Sequence, residues 1–218
     1  MKYKILRPVA SAISLVKRAW MKYITAPLIK SQMGHCGKNV TIRFKGLNSS
    51  YKRIFLSDNV FIAAGFRFIS YSGNLIMKDH SNAATNFTVI TGNHGRVVGR
   101  YIMDTEKERS NEIEKDIVIE EDVEIGSDVT LLAGVHLGRG CTVGSGSLVR
   151  NDIPPYAIAI GNPAKVIGFV FTPDQIIEHE KQLYAEDQRI AESTLRKNYE
   201  KYFLNKMKEV RSFVSITV

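Results

Sequence analysis

The stretch IEKDIV IEEDVE IGSDVT LLAGVH LGRGCT VGSGSL VRNDIP, Ile113 to Pro154, reads in sixes. Its first place holds Ile113, Ile119, Ile125, Leu131, Leu137, Val143 and Val149, all aliphatic. Its fifth place holds Ile117, Val123, Val129, Val135, Cys141, Ser147 and Ile153, which are small or β-branched. Asp or Gly fills the fourth place: Asp116, Asp122, Asp128, Gly134, Gly140, Gly146 and Asp152. A helix advances about 600° in six residues, so these aliphatics would spiral round every face. A flat alternating sheet would not meet turn residues this often. A short strand and a corner every six residues gives a coil with three sides. The first-place aliphatics then stack inward, and Gly or Asp takes corners that need positive φ. The predicted fold is therefore mainly β, a parallel β-helix of hexapeptide repeats.

Upstream the rhythm is looser. Val40/Ile42 and Val60/Ile62 keep an apolar pair two residues apart, and Ile76, Asn82 and Thr88 keep the six-residue spacing with poorer side chains. Irregular coils are expected from about Gly34 to Ile90. His80 falls on an expected inward place.

Composition bounds the rest. The chain has 218 residues, 44% hydrophobic and 24% charged, as an ordinary globular protein does. Two cysteines exclude a disulfide scaffold and a cysteine-rich zinc site. The net charge of +8 is uneven: residues 1–57 carry 12 Lys or Arg and no acid, and Asp58 is the first. The remainder holds 18 basic against 22 acidic residues, a formal −4. No signal-peptide pattern and no run of about 20 apolar residues stands out, so a cytoplasmic location is expected.

The repeat, the stretch TGNHG (Thr91–Gly95) with a polar loop after it, and the ending VGSGSLVRNDIPPYAIAIGNPAKVIGF (Val143–Phe169) together resemble the hexapeptide-repeat acyltransferases. The resemblance covers roughly Gly34 to Phe171. Within that family it is nearest the branch that O-acetylates surface polysaccharides, beside the branch that acetylates antibiotics such as chloramphenicol and streptogramins. It implies a left-handed coil, a homotrimer and acetyl-CoA as donor, with a saccharide as acceptor. The left hand comes only from the resemblance, because crossovers are usually right-handed.

The resemblance also implies site residues. His94 stands at the base of a projecting loop, residues 95–112, where the family's general base stands. A neutral imidazole accepts a hydroxyl proton well near neutral pH. Asn93 and Asn86 are the candidate oxyanion donors, although Asn at such places also caps turns. Ser127 and Ser145 match positions whose backbone N–H groups meet the thioester and pantetheine, with Gly144 beside them. Arg150 and Lys165 suit the CoA phosphates. Gly161, Asn162 and Pro163 form the closing turn that borders the adenine. Many relatives have Trp where this chain has Glu124. No histidine pair has metal-ligand spacing, so no metal is expected. Cys141 reads as a small core residue.

The two ends leave the repeat, which suggests three segments: 1–30, 31–171 and 172–218. In the first, Ile5, Val9, Ile13, Val16, Trp20 and Ile24 form a stripe at helical spacing with basic residues beside it. Pro27 is expected to end that helix. Such a basic amphipathic helix fits either the inner face of an anionic membrane or packing on protein. No motif supports nucleic-acid binding. In the last segment, TPDQ (Thr172–Gln175) reads as a capping box opening one or two helices. The predicted function is transfer of acetyl from acetyl-CoA to a saccharide hydroxyl. The alternatives are an antibiotic acetyltransferase, a nucleotide-sugar N-acetyltransferase and a non-catalytic β-helix scaffold.

Overall fold

The computed structural model describes residues 6–43, 50–105 and 114–207. Its body is built from short strands that fall in turn on three sheets. The first sheet holds His35–Cys36, Ile54–Leu56, Leu75–Met77, Ile117–Ile119 and His136–Leu137. The second holds Thr41–Ile42, Phe61–Ile62, Asn82–Ala83, Glu124–Ile125, Thr142–Val143, Ala157–Ile160 and Lys165–Phe169. The third holds Arg67–Ile69, Thr88–Ile90, Thr130–Leu132 and Leu148–Val149. Pairing is parallel throughout except between the last two strands of the second sheet, which form an antiparallel hairpin. The mainly β architecture with helices at both ends is as the sequence predicts.

Register gives the length of each coil. Val118 pairs with His136, Glu124 with Thr142 and Thr130 with Leu148, so one coil takes up three sixes. Upstream, Phe55 pairs with Ile76, Phe61 with Asn82 and Arg67 with Thr88, a longer step that exceeds three sixes by half a repeat. The excess sits at the corner after Ile69, between the third sheet and the first. Thr88 pairs with Thr130, seven sixes on, so the loop adds four sixes to its coil. Because the addition is a whole number of sixes, the repeat resumes in phase.

The core follows the periodicity. Ile119, Ile125, Leu131, Leu137, Val143 and Val149 are fully buried, as are Val123, Val129 and Cys141. Full burial of each aliphatic side chain stabilises the fold by about 1.5–3 kcal/mol. Ile113 lies outside the described residues. The corners are as expected: Asp122, Asp128, Gly134, Gly140 and Gly146 all have positive φ. Upstream two readings fail. The inward residues are Met77, Ala83 and Val89, one place after Ile76, Asn82 and Thr88, because the frame continues unbroken across the loop. His80 is exposed with φ 61°, a corner residue, and the neighbouring Ser81 takes the buried place.

Helix α1 (Arg7–Trp20) runs through a π-helical turn, Met21–Thr25, into α2 (Ala26–Lys30). Pro27 therefore does not end the helix. It sits in the first turn of α2, where its missing N–H costs little because the wider turn before it has already shifted the hydrogen-bond pattern. At the other end, α3 (Pro173–Leu183) opens on the expected capping box of Thr172 and Gln175, and α4 (Glu192–Tyr199) follows. Helix α3 is tied to the last coils through its buried Glu180. That carboxylate accepts from Tyr156 Oη at 2.5 Å, Arg139 Nη1 at 3.0 Å and the Ile190 N–H at 2.9 Å.

Candidate active site

The third sheet is bounded by two edges of the prism, and the candidate residues divide between them. Beyond the ends of its strands lies the edge toward the first sheet. There the chain leaves the coil after Thr88–Ile90, passes through Thr91–Gly95 and enters the loop, returning at Glu114 and Lys115. His94 and Asn93 stand on the outgoing limb, both exposed, and the Asn93 Oδ1 accepts the His94 N–H at 2.9 Å. That bond uses the amide oxygen, leaving Nδ2 as the donor of the side chain. Arg150, exposed, follows Leu148–Val149 on the same edge. It is two strands along the sheet, roughly 10 Å from the level of Thr88–Ile90.

The neck of the loop is built by a residue the sequence reading passed over. Glu114 accepts from Thr91 Oγ1 at 2.6 Å, from the Gly73 N–H at 3.0 Å, and at longer range from the N–H groups of Tyr71 and Ser72. Lys115 N–H donates to Thr91 O at 2.8 Å. Both limbs of the loop are thus pinned to each other and to the preceding corner. Burial pushes the Glu114 carboxyl up, but the Thr91 hydroxyl and the three backbone N–H groups outweigh it and hold the pKa below the usual value. Gly92 has no Cβ, and one would meet the Glu114 carboxyl at 2.4 Å. A length cue was available: an insertion leaving the repeat in phase must bring its two flanks together. The loop is described as far as the short 3₁₀ turn Ile102–Thr105, and residues 106–113 lie outside the described residues. Val98, Tyr101 and Met103 on it are exposed.

The other edge, toward the second sheet, gathers most of the candidate cofactor residues. Thr85 Oγ1 donates to Ser127 Oγ at 3.0 Å, and the Ser127 N–H donates to Ser145 Oγ at 3.1 Å. These side chains form a ladder up three successive coils. Gly126 leaves room for the next corner, since a Cβ there would lie 2.6 Å from the Ser145 N. Gly144 stands beside it. The closing turn Gly161–Ala164 caps this ladder: the Gly161 N–H donates to Ser147 Oγ at 3.1 Å, and the Ala164 N–H to Leu148 O at 2.8 Å. Asn162, Pro163 and Lys165 stand around it, with Asn162 and Lys165 exposed. Asn86 also belongs to this edge. Its φ is 61° and its Nδ2 donates to Asp128 Oδ1 at 2.8 Å, the posture of a corner cap. Within one chain the strand Thr88–Ile90 separates it from His94.

Two features lie apart from these edges. Burial pushes the Cys141 thiol up to about 12, so no thiolate nucleophile is on offer there. A cavity of about 340 Å³ opens where the last coils meet the C-terminal segment, lined by Glu120, His136, Arg139, Pro154, Ile190 and Tyr202. None of the candidate residues lines it.

Residues 116–151 match the family model described as bacterial transferase hexapeptide, six repeats. No curated protein matches the chain by sequence. Among solved structures, the fold resembles a hexapeptide-repeat-containing acetyltransferase from Vibrio cholerae, with a TM-score of 0.58 and 24% identity over 78% of this chain and 94% of that one. The same Vibrio protein complexed with acetyl coenzyme A matches with a TM-score of 0.57 and 25% identity, over 67% of this chain and 76% of that one. A maltose O-acetyltransferase from Clostridium difficile 630 matches with a TM-score of 0.58 and 22% identity, over 67% of this chain and 74% of that one.

Proposed function

Taking the chain as a hexapeptide-repeat protein of the bacterial transferase type, we propose that it is an acyltransferase that moves acetyl from acetyl-CoA to a saccharide hydroxyl. The observation that carries this reading is the placement of His94. It stands on the outgoing limb of a pinned loop, at an edge of the repeat body, where no packing or corner role accounts for an imidazole. The matched repeat and the acetyl-CoA complex of the 25%-identical relative support the donor. The resemblance of TGNHG, loop and closing turn supports the acceptor class and the left hand of the coil.

In this reading the His94 imidazole accepts the acceptor's hydroxyl proton as its oxygen attacks the thioester carbonyl. The negative charge that develops on the carbonyl oxygen is met by N–H donors, for which Asn93 Nδ2 is the side chain nearest in sequence to the base. Collapse breaks the carbon–sulfur bond, and the imidazolium returns its proton to the departing CoA thiolate. Transfer is direct, with no acyl-enzyme. The ladder of Ser127 and Ser145, with Gly144 and the Gly161–Pro163 turn, forms the groove for the donor, and Lys165 meets its phosphates; Arg150, on the His94 edge, meets the phosphates of a donor held by a neighbouring chain. Asn86, on that second edge, spends its Nδ2 on Asp128 and serves as a corner cap. The exposure of His94, Val98 and Met103 in a single chain is the reason to assign the active assembly as a homotrimer.

The test is His94→Ala, assayed for acetyl transfer to saccharide hydroxyls and, separately, to amino sugars. The variant is expected to bind acetyl-CoA normally and to lose transfer by about 10²–10⁴-fold, the usual contribution of a general base. Near-normal turnover would remove His94 from the role, and transfer confined to amines would replace the hydroxyl acceptor.

A further inference from the structure

The N-terminal helix has no part in either edge, and its surface is unusual. From Arg7 to Lys30 it runs as three continuous helical segments of 14, 5 and 5 residues with no buried residue in any of them. Val9, Ile13, Val16, Trp20 and Ile24 recur at three- and four-residue spacing and lie on one face. Each is 40–67% exposed. In the repeat, by contrast, the inward aliphatics Ile119, Ile125, Leu131, Leu137, Val143 and Val149 are fully buried. Arg7, Arg18 and Lys22 lie on the opposite face and Lys17 at the margin of the stripe. No acidic residue occurs before Asp58.

We propose that this helix docks on the surface of an anionic lipid bilayer. An apolar face left open calls for an apolar medium, and a segment whose charges are all basic, with Lys17 at the margin of the stripe, chooses one that carries negative charge. Packing against the same helix of another copy would satisfy the stripe but would bring Lys17 of each copy to the seam, with no acid in the segment to neutralise it. Among the described residues no helix is long and apolar enough to cross a membrane, so the helix lies on the surface rather than spanning it. Trp20 sits within the stripe, at the level where an indole straddles headgroups and acyl chains. The inference does not depend on the catalytic reading.

Trp20 is the single tryptophan of the chain, so its fluorescence reports on this helix alone. The full-length protein is titrated with vesicles of phosphatidylcholine mixed with phosphatidylglycerol, and with vesicles of phosphatidylcholine alone, with cosedimentation in parallel. A blue shift of emission and sedimentation with the anionic vesicles, weakened by salt and by Lys17→Glu with Arg18→Glu by roughly tenfold or more, is expected. Ile13→Glu should abolish both signals while leaving the thermal melt of the body unchanged. Absence of shift and sedimentation with anionic vesicles overturns the proposal. So does emission already blue without vesicles in a concentration-dependent way, because the stripe then covers another copy.

Discussion

Thr91 Oγ1 donates to Glu114 Oε2 at 2.6 Å across the neck of the loop that carries His94. The two residues are 23 apart in sequence, and the same carboxylate holds the corner at Gly73. Glu114 thus sets the base from which the limb carrying His94 departs, and in the proposed mechanism it positions that limb without touching the reacting atoms. Replacing it by Gln, or Thr91 by Val, is predicted to lower kcat on the order of 10- to 100-fold through misplacement of His94. Acetyl-CoA affinity should change little, because the proposed donor groove lies on the other edge. Steady-state kinetics beside calorimetric titration check this. An unchanged kcat would mean that the neck does not position the histidine.

The same carboxylate predicts a pH dependence. Its folded pKa is lower than its unfolded one, so its stabilisation is present above the ordinary carboxylate range and is lost as pH falls through the lowered value. Wild type should therefore be more stable than Glu114→Gln at neutral pH, and the gap should close below about pH 4. Thermal melts across that range measure the gap. A gap that widens in acid would contradict the sign.

Two glycine corners separate backbone strain from crowding. Gly140 and Gly146 both have positive φ, 66° and 73°. A Cβ at Gly140 would meet the Tyr156 ring at 2.4 Å, whereas one at Gly146 meets nothing within 4 Å. Gly146→Ala is predicted to cost about 1–2 kcal/mol, the strain of a left-handed residue. Gly140→Ala should cost more, by the displacement of Tyr156. Denaturant unfolding of the two variants gives the difference, and equal losses would refute the crowding.

Glu180 anchors α3 to the coils through Arg139 and Tyr156. Removing one partner of a buried pair leaves the other charge uncompensated, so Arg139→Met is predicted to destabilise by about 3–5 kcal/mol. Ser147→Ala, which strips Gly161 and Gly144 of a hydroxyl partner, should cost about 1–3 kcal/mol. In a chain of this size each kcal/mol lowers Tm by about 2–4 °C, which calorimetry resolves.

The hexads from Ile117 to Ile153 were legible because aliphatics recur at the first place and small or β-branched residues at the fifth, and burial follows them residue by residue. The capping box at Thr172 was legible for a similar reason: its partners are close neighbours in sequence. The upstream frame was misread by one place because its coils run longer than three sixes and the loop hides that the phase is kept. Pro27 was misread because proline states only what its own nitrogen lacks, not how the turn before it adapts. The clamp at Glu114 joins Thr91 to a corner in the coil before it, and such a contact leaves no local pattern. His94 and the closing turn were singled out through resemblance, while the division of the candidate residues between two edges needed the register of the third sheet.

The central claim is that this β-helix is an acetyl-CoA-dependent transferase, and calorimetric titration of the folded protein with acetyl-CoA tests it most directly. The account predicts saturable binding near one site per chain, weakened by Lys165→Ala and retained in His94→Ala. A folded sample that takes up no acetyl-CoA would contradict it.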